Sequence, residues 1–244
     1  NYNEEGKLPV EYNDAHAALR GFANSTVNSS IVLSAGMNPR LYSYLEEFPG
    51  FYPDSKGLFS KKIILKVSDY RSALIQGKYL AKKGLWVSEY RIESGLNCGG
   101  HAFATQGHLM GPILEDFKQI RAMLVEESFQ LYAQALKNKN KPCPASPPEM
   151  RVTAQGGVGT AGEHQFLLEH YALDSVGWGS PFLLVPEVAN IDDTTLQLLI
   201  DAKEDDLYLS NISPLGVPFN NLRGNSKDIE KEIHIATGKP GSAC

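Results

Sequence analysis

The sequence predicts an α/β fold built on a parallel β-sheet, and three observations support this prediction. Apolar, β-branched segments alternate with amphipathic segments of helical period, and glycine-rich clusters follow several of the apolar segments. Strands that alternate with helices pair in parallel through right-handed crossovers. With 244 residues, 42% of them hydrophobic, the chain can bury one sizeable core. An open doubly wound sheet and a closed barrel both fit this pattern.

Five segments have the composition of buried strands. Each is a short run rich in apolar and β-branched residues, bounded by glycine, proline or polar residues. The predicted strands are residues 30–36, 62–67, 85–92, 150–155 and 175–182.

Helices are predicted between these strands. Ser68 is expected to cap a helix that carries Leu74, Ile75 and Leu80 on one face, and Gly84 is expected to end it. Pro112 suits the first turn of a long amphipathic helix. The apolar positions of that helix are Ile113, Phe117, Ile120, Leu124, Phe129 and Leu136. Other helices are predicted over residues 15–22, 162–172 and 193–202, and the proline-rich segment 141–148 is predicted to be a stiff connector.

Composition excludes several classes of function. The net charge of -5 argues against a nucleic-acid partner. The sequence has no apolar run long enough to span a bilayer, and its three cysteines are too few and too scattered for a disulfide framework. We therefore expect a cytoplasmic protein with no membrane partner.

Three glycine-rich segments follow predicted strands, at residues 93–101, 155–162 and 177–182. Ligands of α/β proteins bind at the carboxyl ends of strands. In a barrel, the loops after the last two strands hold a phosphate through backbone N–H groups and a helix N-terminus. Glycine suits this role because a Cβ atom would keep the phosphate away from the amides. The last two segments are separated by a single predicted helix, which favours a phosphate site.

These segments resemble motifs of a known family. Val-Thr-Ala-Gln-Gly156-Gly157-Val and the later Gly179-Ser-Pro-Phe182 resemble the closing motifs of the nitronate monooxygenase group, which is related to the flavin-dependent enoyl reductases. Glu93-Ser-Gly-Leu-Asn-Cys-Gly-Gly-His101 is similar to the histidine motif of that group. The resemblance spans roughly residues 30–187. It implies a TIM (β/α)₈ barrel, of which this chain carries the C-terminal portion, about strands four to eight, with an extra amphipathic helix.

The resemblance also implies a domain organisation and a set of site residues. Residues 1–29 would be an irregular N-terminal segment, 30–190 the FMN-binding barrel portion, and 191–244 a helix and loop-rich C-terminal extension. His101 would be the catalytic acid/base. The residues implied to bind FMN are Lys66, Glu93, Gly99, Gly100, Gln155, Gly156, Gly157, Gly179 and Ser180.

Within that set the implied roles differ. Residues 156–157 and 179–180 would hold the phosphate, Lys66 would face the N1/O2 side of the reduced ring, and Glu93 would bind ribityl hydroxyls or substrate. Gln155 stands where the family has alanine, and Ser180-Pro181 stands where it has Thr-Arg. Backbone amides do not depend on those side chains, so we expect the phosphate site to be retained.

The expected function is therefore FMN-dependent oxidation or reduction of a small organic substrate, of the nitronate monooxygenase-like type, with NAD(P)H or O₂ as redox partner. Three alternatives remain open: a non-catalytic barrel that serves as a binding or assembly module, a dinucleotide-binding α/β domain that uses Gly157-Val-Gly159-Thr-Ala-Gly162, and an aldolase-type barrel in which Lys66 forms a Schiff base. Cys98 and His101 form half of a zinc pattern, but the sequence has no second pair, so no metal is expected.

Overall fold

The structure is a computed structural model, and we describe the residues whose placement it defines. These are residues 2–3, 6–34, 36–93, 110–156, 158, 160–178, 191–210 and 219–239. None of the helices in these ranges is both long and apolar enough to cross a lipid bilayer.

Five strands form a parallel sheet at the centre of the fold. The described strands are β1 (Tyr2–Asn3), β2 (Gly6–Lys7), β3 (Ser29–Leu33), β4 (Lys61–Val67), β5 (Val87–Glu93), β6 (Arg151–Gln155), β7 (Ser175–Gly177), β8 (Leu207–Ser210) and β9 (Phe219–Leu222). The sheet has the order β3-β4-β5-β6-β7 and every neighbouring pair is parallel, whereas β1–β2 and β8–β9 are antiparallel pairs. All five predicted strands are thus confirmed, although β7 ends at Gly177 and most of the remaining predicted range lies outside the described residues.

Helices connect these strands. The described helices are α1 (Asp14–Asn24), α2 (Pro39–Tyr44), α3 (Tyr70–Ala81), α4 (Met110–Asn138), α5 (Ala161–His170), α6 (Asp193–Asp201) and α7 (Ser226–Ala236). All five predicted helices are present, including the long amphipathic one, which is α4. Besides α6, the C-terminal extension contains the antiparallel β8–β9 pair and α7, which the sequence analysis did not identify. The sequence signals for α7 were Asn225, a residue type that caps helices, and isoleucines four residues apart, at 229 and 233. In the structure the Asn225 side chain accepts the Asp228 N–H at 3.0 Å.

Two details of α3 differ from the prediction. Asp69 rather than Ser68 caps the helix, and its carboxylate accepts the Ser72 N–H at 2.7 Å. Ile75 is half exposed, because the buried stripe runs instead through Ala73, Gln76, Gly77, Leu80 and Ala81. Gly84 ends the helical segment as predicted: it adopts a left-handed φ of 72°, and the Leu85 N–H bonds back to the Leu80 carbonyl at 3.1 Å.

The core lies on one face of the sheet. Leu33, Leu65, Tyr90 and Val152 form a row of in-register neighbours across β3, β4, β5 and β6, and all four belong to a single hydrophobic cluster with residues from α1, α2, α3 and α4. A second row, Val67, Ile92, Ala154 and Val176, packs against the same cluster. Because side chains alternate between the two faces of a strand, the helices that contribute to this cluster cover one face of the sheet.

The opposite face is mostly polar, and we call it the open face. In-register rows on this face contain Ile64, Glu89 and Arg151, then Lys66, Arg91, Thr153 and Ser175. Ionised and hydroxyl side chains therefore occupy the face that the core helices leave uncovered.

One arginine joins α4 to the amino-terminal ends of β6 and β7. The Arg121 guanidinium donates to the Met150 carbonyl at 2.9 Å, the Ala172 carbonyl at 3.2 Å and the Asp174 carboxylate at 2.7 Å. Asp174 also accepts the Val152 N–H at 2.7 Å. Asp174, the acid that precedes the last strand of the sheet, therefore has a structural role.

Helix α3 approaches β5 most closely at Gly77. A Cβ atom on Gly77 would lie 2.0 Å from the hydroxyl oxygen of Tyr90 and 3.2 Å from its Cζ atom. Tyr90 is almost completely buried, and burial raises the pKa of its hydroxyl, so the side chain stays neutral at the helix–sheet contact. Glycine is thus required here by packing.

We expect Gly77→Ala to lower the free energy of unfolding by about 1–3 kcal/mol, because the added methyl group overpacks against Tyr90. Tyr90→Phe in the same chain should recover part of this loss, since it removes the atom at 2.0 Å. Gly21→Ala in α1 is the matched control: no heavy atom lies within 4 Å of its added Cβ, so it should stabilise the helix. Urea unfolding monitored by circular dichroism measures the free energy of unfolding of these variants. If Gly77→Ala costs as much with Tyr90→Phe as without it, the close contact between Gly77 and the Tyr90 hydroxyl is contradicted.

Candidate functional site

Four residues singled out by the sequence meet at the carboxyl edge of three adjacent strands. Glu93 ends β5 and is the in-register neighbour of Gln155, which ends β6 and is followed by Gly156. Lys66, one residue before the end of β4, forms an ion pair with Glu93 at 3.1 Å. The order of the strands produces this grouping, because β4, β5 and β6 are neighbours in the sheet as well as along the chain.

The Lys66–Glu93 ion pair changes the expected role of the lysine. The Glu93 side chain is 3% exposed and the Lys66 side chain 29% exposed, so the carboxylate is the deeper member of the pair. A buried carboxylate needs a cation or hydrogen-bond donors to compensate for lost hydration. At this edge the positive charge of Lys66 is therefore paired with the Glu93 carboxylate.

Gly156 turns the chain immediately after β6. Its φ of 87° lies in the left-handed region, which a residue with a side chain adopts only at a cost. Its N–H donates to the Gly177 carbonyl at 3.2 Å and so ties the end of β6 to the end of β7. Val158, two residues further on, is 5% exposed and anchors the loop. The left-handed φ of Gly156 and its hydrogen bond to Gly177 thus define where the chain leaves the sheet after β6.

The first turn of α5 is less available to an anion than the sequence suggests. Thr160 and Glu163 form a capping box: the threonine hydroxyl accepts the Glu163 N–H at 3.2 Å, and the glutamate carboxylate accepts the Thr160 N–H at 3.0 Å. Two amides at the start of the helix are therefore satisfied, and a carboxylate lies beside them. An anion at this end of the sheet would depend mainly on the loop amides that precede Thr160.

The open face below this edge carries polar side chains that the sequence analysis missed. Glu89 accepts hydrogen bonds from Thr153 at 2.8 Å and from the Arg91 Nε atom at 3.0 Å. Arg91 and Thr153 are in the same in-register row as Lys66. The available signal was polar residues at every second position of β5, which indicates a strand with one polar face. This network fixes the side chains beneath Lys66 and Glu93.

The remaining predicted site residues lie outside the described part of the chain. They are Gly99, Gly100, His101, Gly157, Gly179 and Ser180. Cys98, half of the zinc pattern, is also among the residues that are not described.

The dinucleotide alternative makes a prediction about Gly162. In that fingerprint the third glycine permits close packing of the helix against a strand. Within the described part of the chain, an added Cβ on Gly162 meets no heavy atom within 4 Å. Close packing of this glycine against a described residue is therefore not seen.

A cavity of about 450 Å³ lies at the opposite end of the open face. Ser30, Lys62 and Arg151, which stand near the amino-terminal ends of their strands, contribute to its lining. Its lining contains none of the four predicted FMN-binding residues that the structure describes, Lys66, Glu93, Gln155 and Gly156. Because ligands of α/β proteins bind at carboxyl ends, we assign the candidate site to the edge that contains Lys66 and Glu93.

We expect Lys66→Met to destabilise the protein more than Glu93→Gln. The first change leaves a buried carboxylate without its ammonium partner, at a cost of about 1–3 kcal/mol, whereas the second leaves a partly hydrated ammonium. The double variant should lose less stability than the sum of the two single losses. Urea unfolding of the three variants tests this, and a larger loss for Glu93→Gln would show that the pair is not arranged as described.

Comparison with solved structures shows a similarity of fold. No family model matches the sequence, and no curated protein is significantly similar to it. The fold is similar to the crystal structure of the enoyl reductase domain of MlnA from the macrolactin biosynthesis cluster of Bacillus amyloliquefaciens, with a TM-score of 0.53 and 14% sequence identity. The similarity covers 89% of this chain and 50% of that one, so this chain spans about half of the similar structure. At this level of identity the similarity concerns the fold, and it supports an α/β domain with a parallel sheet.

Proposed function

We propose that this chain is the phosphate-binding part of an FMN-dependent oxidoreductase that acts on a small organic substrate. The observation that carries the proposal is the grouping of Lys66, Glu93, Gln155 and Gly156 at one carboxyl edge of the sheet. Three of these residues, Glu93, Gln155 and Gly156, belong to motifs that resemble those of the nitronate monooxygenase group. The similar solved structure is an enoyl reductase domain, and this supports the broader class of oxidoreductase.

The strand order supports a barrel-type sheet. A doubly wound sheet reverses its strand order at the switch point where its ligand binds. The described order, β3 to β7, follows the chain without reversal, and the hydrophobic cluster occupies one face. This arrangement is expected of five consecutive strands of a (β/α)₈ barrel, with the open face as the interior.

The described residues suit a flavin phosphate in specific ways. Gly156 would let loop amides approach the phosphate, since its left-handed turn brings no side chain toward them. Glu93 would accept hydrogen bonds from ribityl or substrate hydroxyls, with its orientation fixed by Lys66. Bound FMN would supply the redox chemistry. His101, from the resemblance, would exchange a proton with the substrate.

The proposal predicts a yellow protein. We expect the purified chain, expressed with any sequence that adjoins it in its gene, to show flavin absorption and to release FMN on denaturation. Gly156→Ala should weaken FMN binding by about tenfold, because alanine at this φ costs roughly 1–2 kcal/mol or shifts the loop. Titration of the apoprotein with FMN, followed by flavin fluorescence, measures this change.

Gly162→Ala is the matched control for Gly156→Ala. It lies six residues further on, at a position where an added methyl group contacts none of the residues that the structure describes. It should bind FMN with an affinity close to that of the unaltered chain. A folded protein that stays colourless in excess FMN would overturn the proposal, as would equal effects of the two alanine variants.

The second candidate function is a non-catalytic barrel that binds a partner. The half-exposed apolar residues of α7 favour it, namely Ile229, Ile233 and Ile235.

The variant His101→Asn separates the enzyme from the non-catalytic barrel. In an enzyme this change should abolish most substrate turnover while FMN binding remains unchanged, because the imidazole is the proposed proton donor and acceptor. Anaerobic reduction by NAD(P)H, with and without added electron acceptors, provides the assay. Unchanged turnover in the variant would exclude the proposed role of His101.

A further inference from the structure

The cavity at the amino-terminal end of the open face has no role in the proposed function. It has a volume of about 450 Å³, and all the residues that line it are among those that the structure describes. Four adjacent strands contribute to it: Ser30 and Lys62 are in-register neighbours on β3 and β4, and Glu89 and Arg151 are in-register neighbours on β5 and β6. A cavity of this volume can hold a small organic molecule.

Glu89 places a nearly buried carboxylate in the lining of this cavity. Its side chain is 10% exposed, and its Oε1 atom accepts the Arg91 guanidinium at 2.9 and 3.0 Å and the Thr153 hydroxyl at 2.8 Å. Within the described part of the chain, no group donates to its Oε2 atom. A buried carboxylate oxygen needs a donor to compensate for lost hydration. The Oε2 atom is therefore available to a hydroxyl group of a ligand.

Two cations line the same cavity without an acidic partner. Lys62 and Arg151 form no ion pair with any described residue, and Arg151 donates only to the Ser175 hydroxyl, at 3.3 Å. Elsewhere on the open face, Lys66 and Arg91 are each paired with a glutamate. A guanidinium and an ammonium group that lack partners favour an anionic group in the ligand, and the guanidinium matches a carboxylate with two parallel hydrogen bonds.

The rest of the polar lining indicates what else the ligand carries. Asn28, Ser30 and Ser88 line the cavity, and among the described residues none gives their side chains a hydrogen bond. Amide and hydroxyl groups can donate to and accept from ligand hydroxyls. The exposed Glu149 also lines the cavity, so two cations stand against two carboxylates, those of Glu89 and Glu149. This balance favours a ligand with a single negative charge over a phosphate ester.

We infer that this cavity is a binding site for a polyhydroxylated carboxylic acid. Lys62 and Arg151 bind its carboxylate, and the Oε2 atom of Glu89 accepts a hydrogen bond from one of its hydroxyl groups. The cavity, the unsatisfied oxygen of a nearly buried carboxylate and the two unpaired cations on the flanking strands carry the inference together. It does not rest on the proposed function, because Lys66 and Gly156 lie at the other end of the strands.

The test uses three probes with carbon chains of equal length. Gluconate carries a carboxylate on a polyhydroxylated chain, hexanoate carries the carboxylate without hydroxyl groups, and sorbitol 6-phosphate carries hydroxyl groups with a phosphate. We expect gluconate to bind the full chain about tenfold more tightly than either of the others, because only gluconate satisfies both the cations and Glu89 without excess charge. Titration followed by the backbone amide resonances measures the dissociation constants, and the resonances that shift should be those of the cavity lining.

Lys62→Met and Arg151→Met each remove one cation and should each weaken gluconate binding by about tenfold. Lys82→Met is the matched control. It makes the same change of charge at an exposed residue next to the end of α3, outside the cavity lining, so the affinity should stay the same.

Glu89→Gln tests the carboxylate oxygen. The variant keeps the shape of the side chain but loses the charge that strengthens its hydrogen bond to a hydroxyl group, so the preference for gluconate over hexanoate should fall. Circular dichroism shows whether this variant folds. Lys62 and Arg151 are more exposed than Glu89, so their variants decide the test if it does not.

Several outcomes would overturn the inference. Gluconate at millimolar concentration that shifts no resonance of the cavity lining contradicts the site itself, as does an equal loss of affinity in Lys62→Met and Lys82→Met. Hexanoate that binds as tightly as gluconate contradicts the role of Glu89. Tighter binding of sorbitol 6-phosphate contradicts the assignment of a carboxylate ligand.

Discussion

The fold depends on the parallel, sequential order of its five central strands. Each strand pairs with the next one along the chain, so all carboxyl ends lie at one edge and the helices of the hydrophobic cluster pack on one face. Right-handed crossovers impose this arrangement whenever the order does not reverse. The in-register row of Leu33, Leu65, Tyr90 and Val152 then meets those helices, while polar residues occupy the other face. The sequential parallel order therefore places the core on one face of the sheet and the candidate site at its carboxyl edge.

In the proposed barrel, the polar open face would differ from an ordinary barrel interior. Barrel interiors are usually filled with layers of branched apolar side chains. Here Glu89, Arg91 and Thr153 form a hydrogen-bonded group on the same face of the sheet as Lys66, in the strands next to it. Ionised groups are acceptable in such a place when they compensate one another, as these do. The hydrogen bonds to Glu89 therefore fix the orientations of the polar side chains next to the carboxyl edge.

Two kinds of interaction hold the glycine-rich turn after β6. Backbone geometry fixes its start, where Gly156 takes a left-handed conformation and bonds to Gly177. Side chains fix its end, where Thr160 and Glu163 close a capping box. The capping box stabilises the helix, but it also uses amides that a phosphate would otherwise bind. Under the proposed function, the phosphate would therefore bind loop amides rather than the first amides of α5.

The sequence by itself determined the five strands of the central sheet, the helices between them and the glycine-rich segments that follow three of the strands. Alternating apolar and amphipathic segments were sufficient to place the five strands and the long helix α4, because periodicity reports which side chains are buried. Glycine clusters identified the turns, and Glu93 and Gln155 were singled out by their motifs. Only the tertiary structure decided which of these residues are neighbours. That Lys66 pairs with Glu93, and that Trp178 bonds to His164, depends on register and crossover geometry, which a linear pattern of hydrophobicity does not contain.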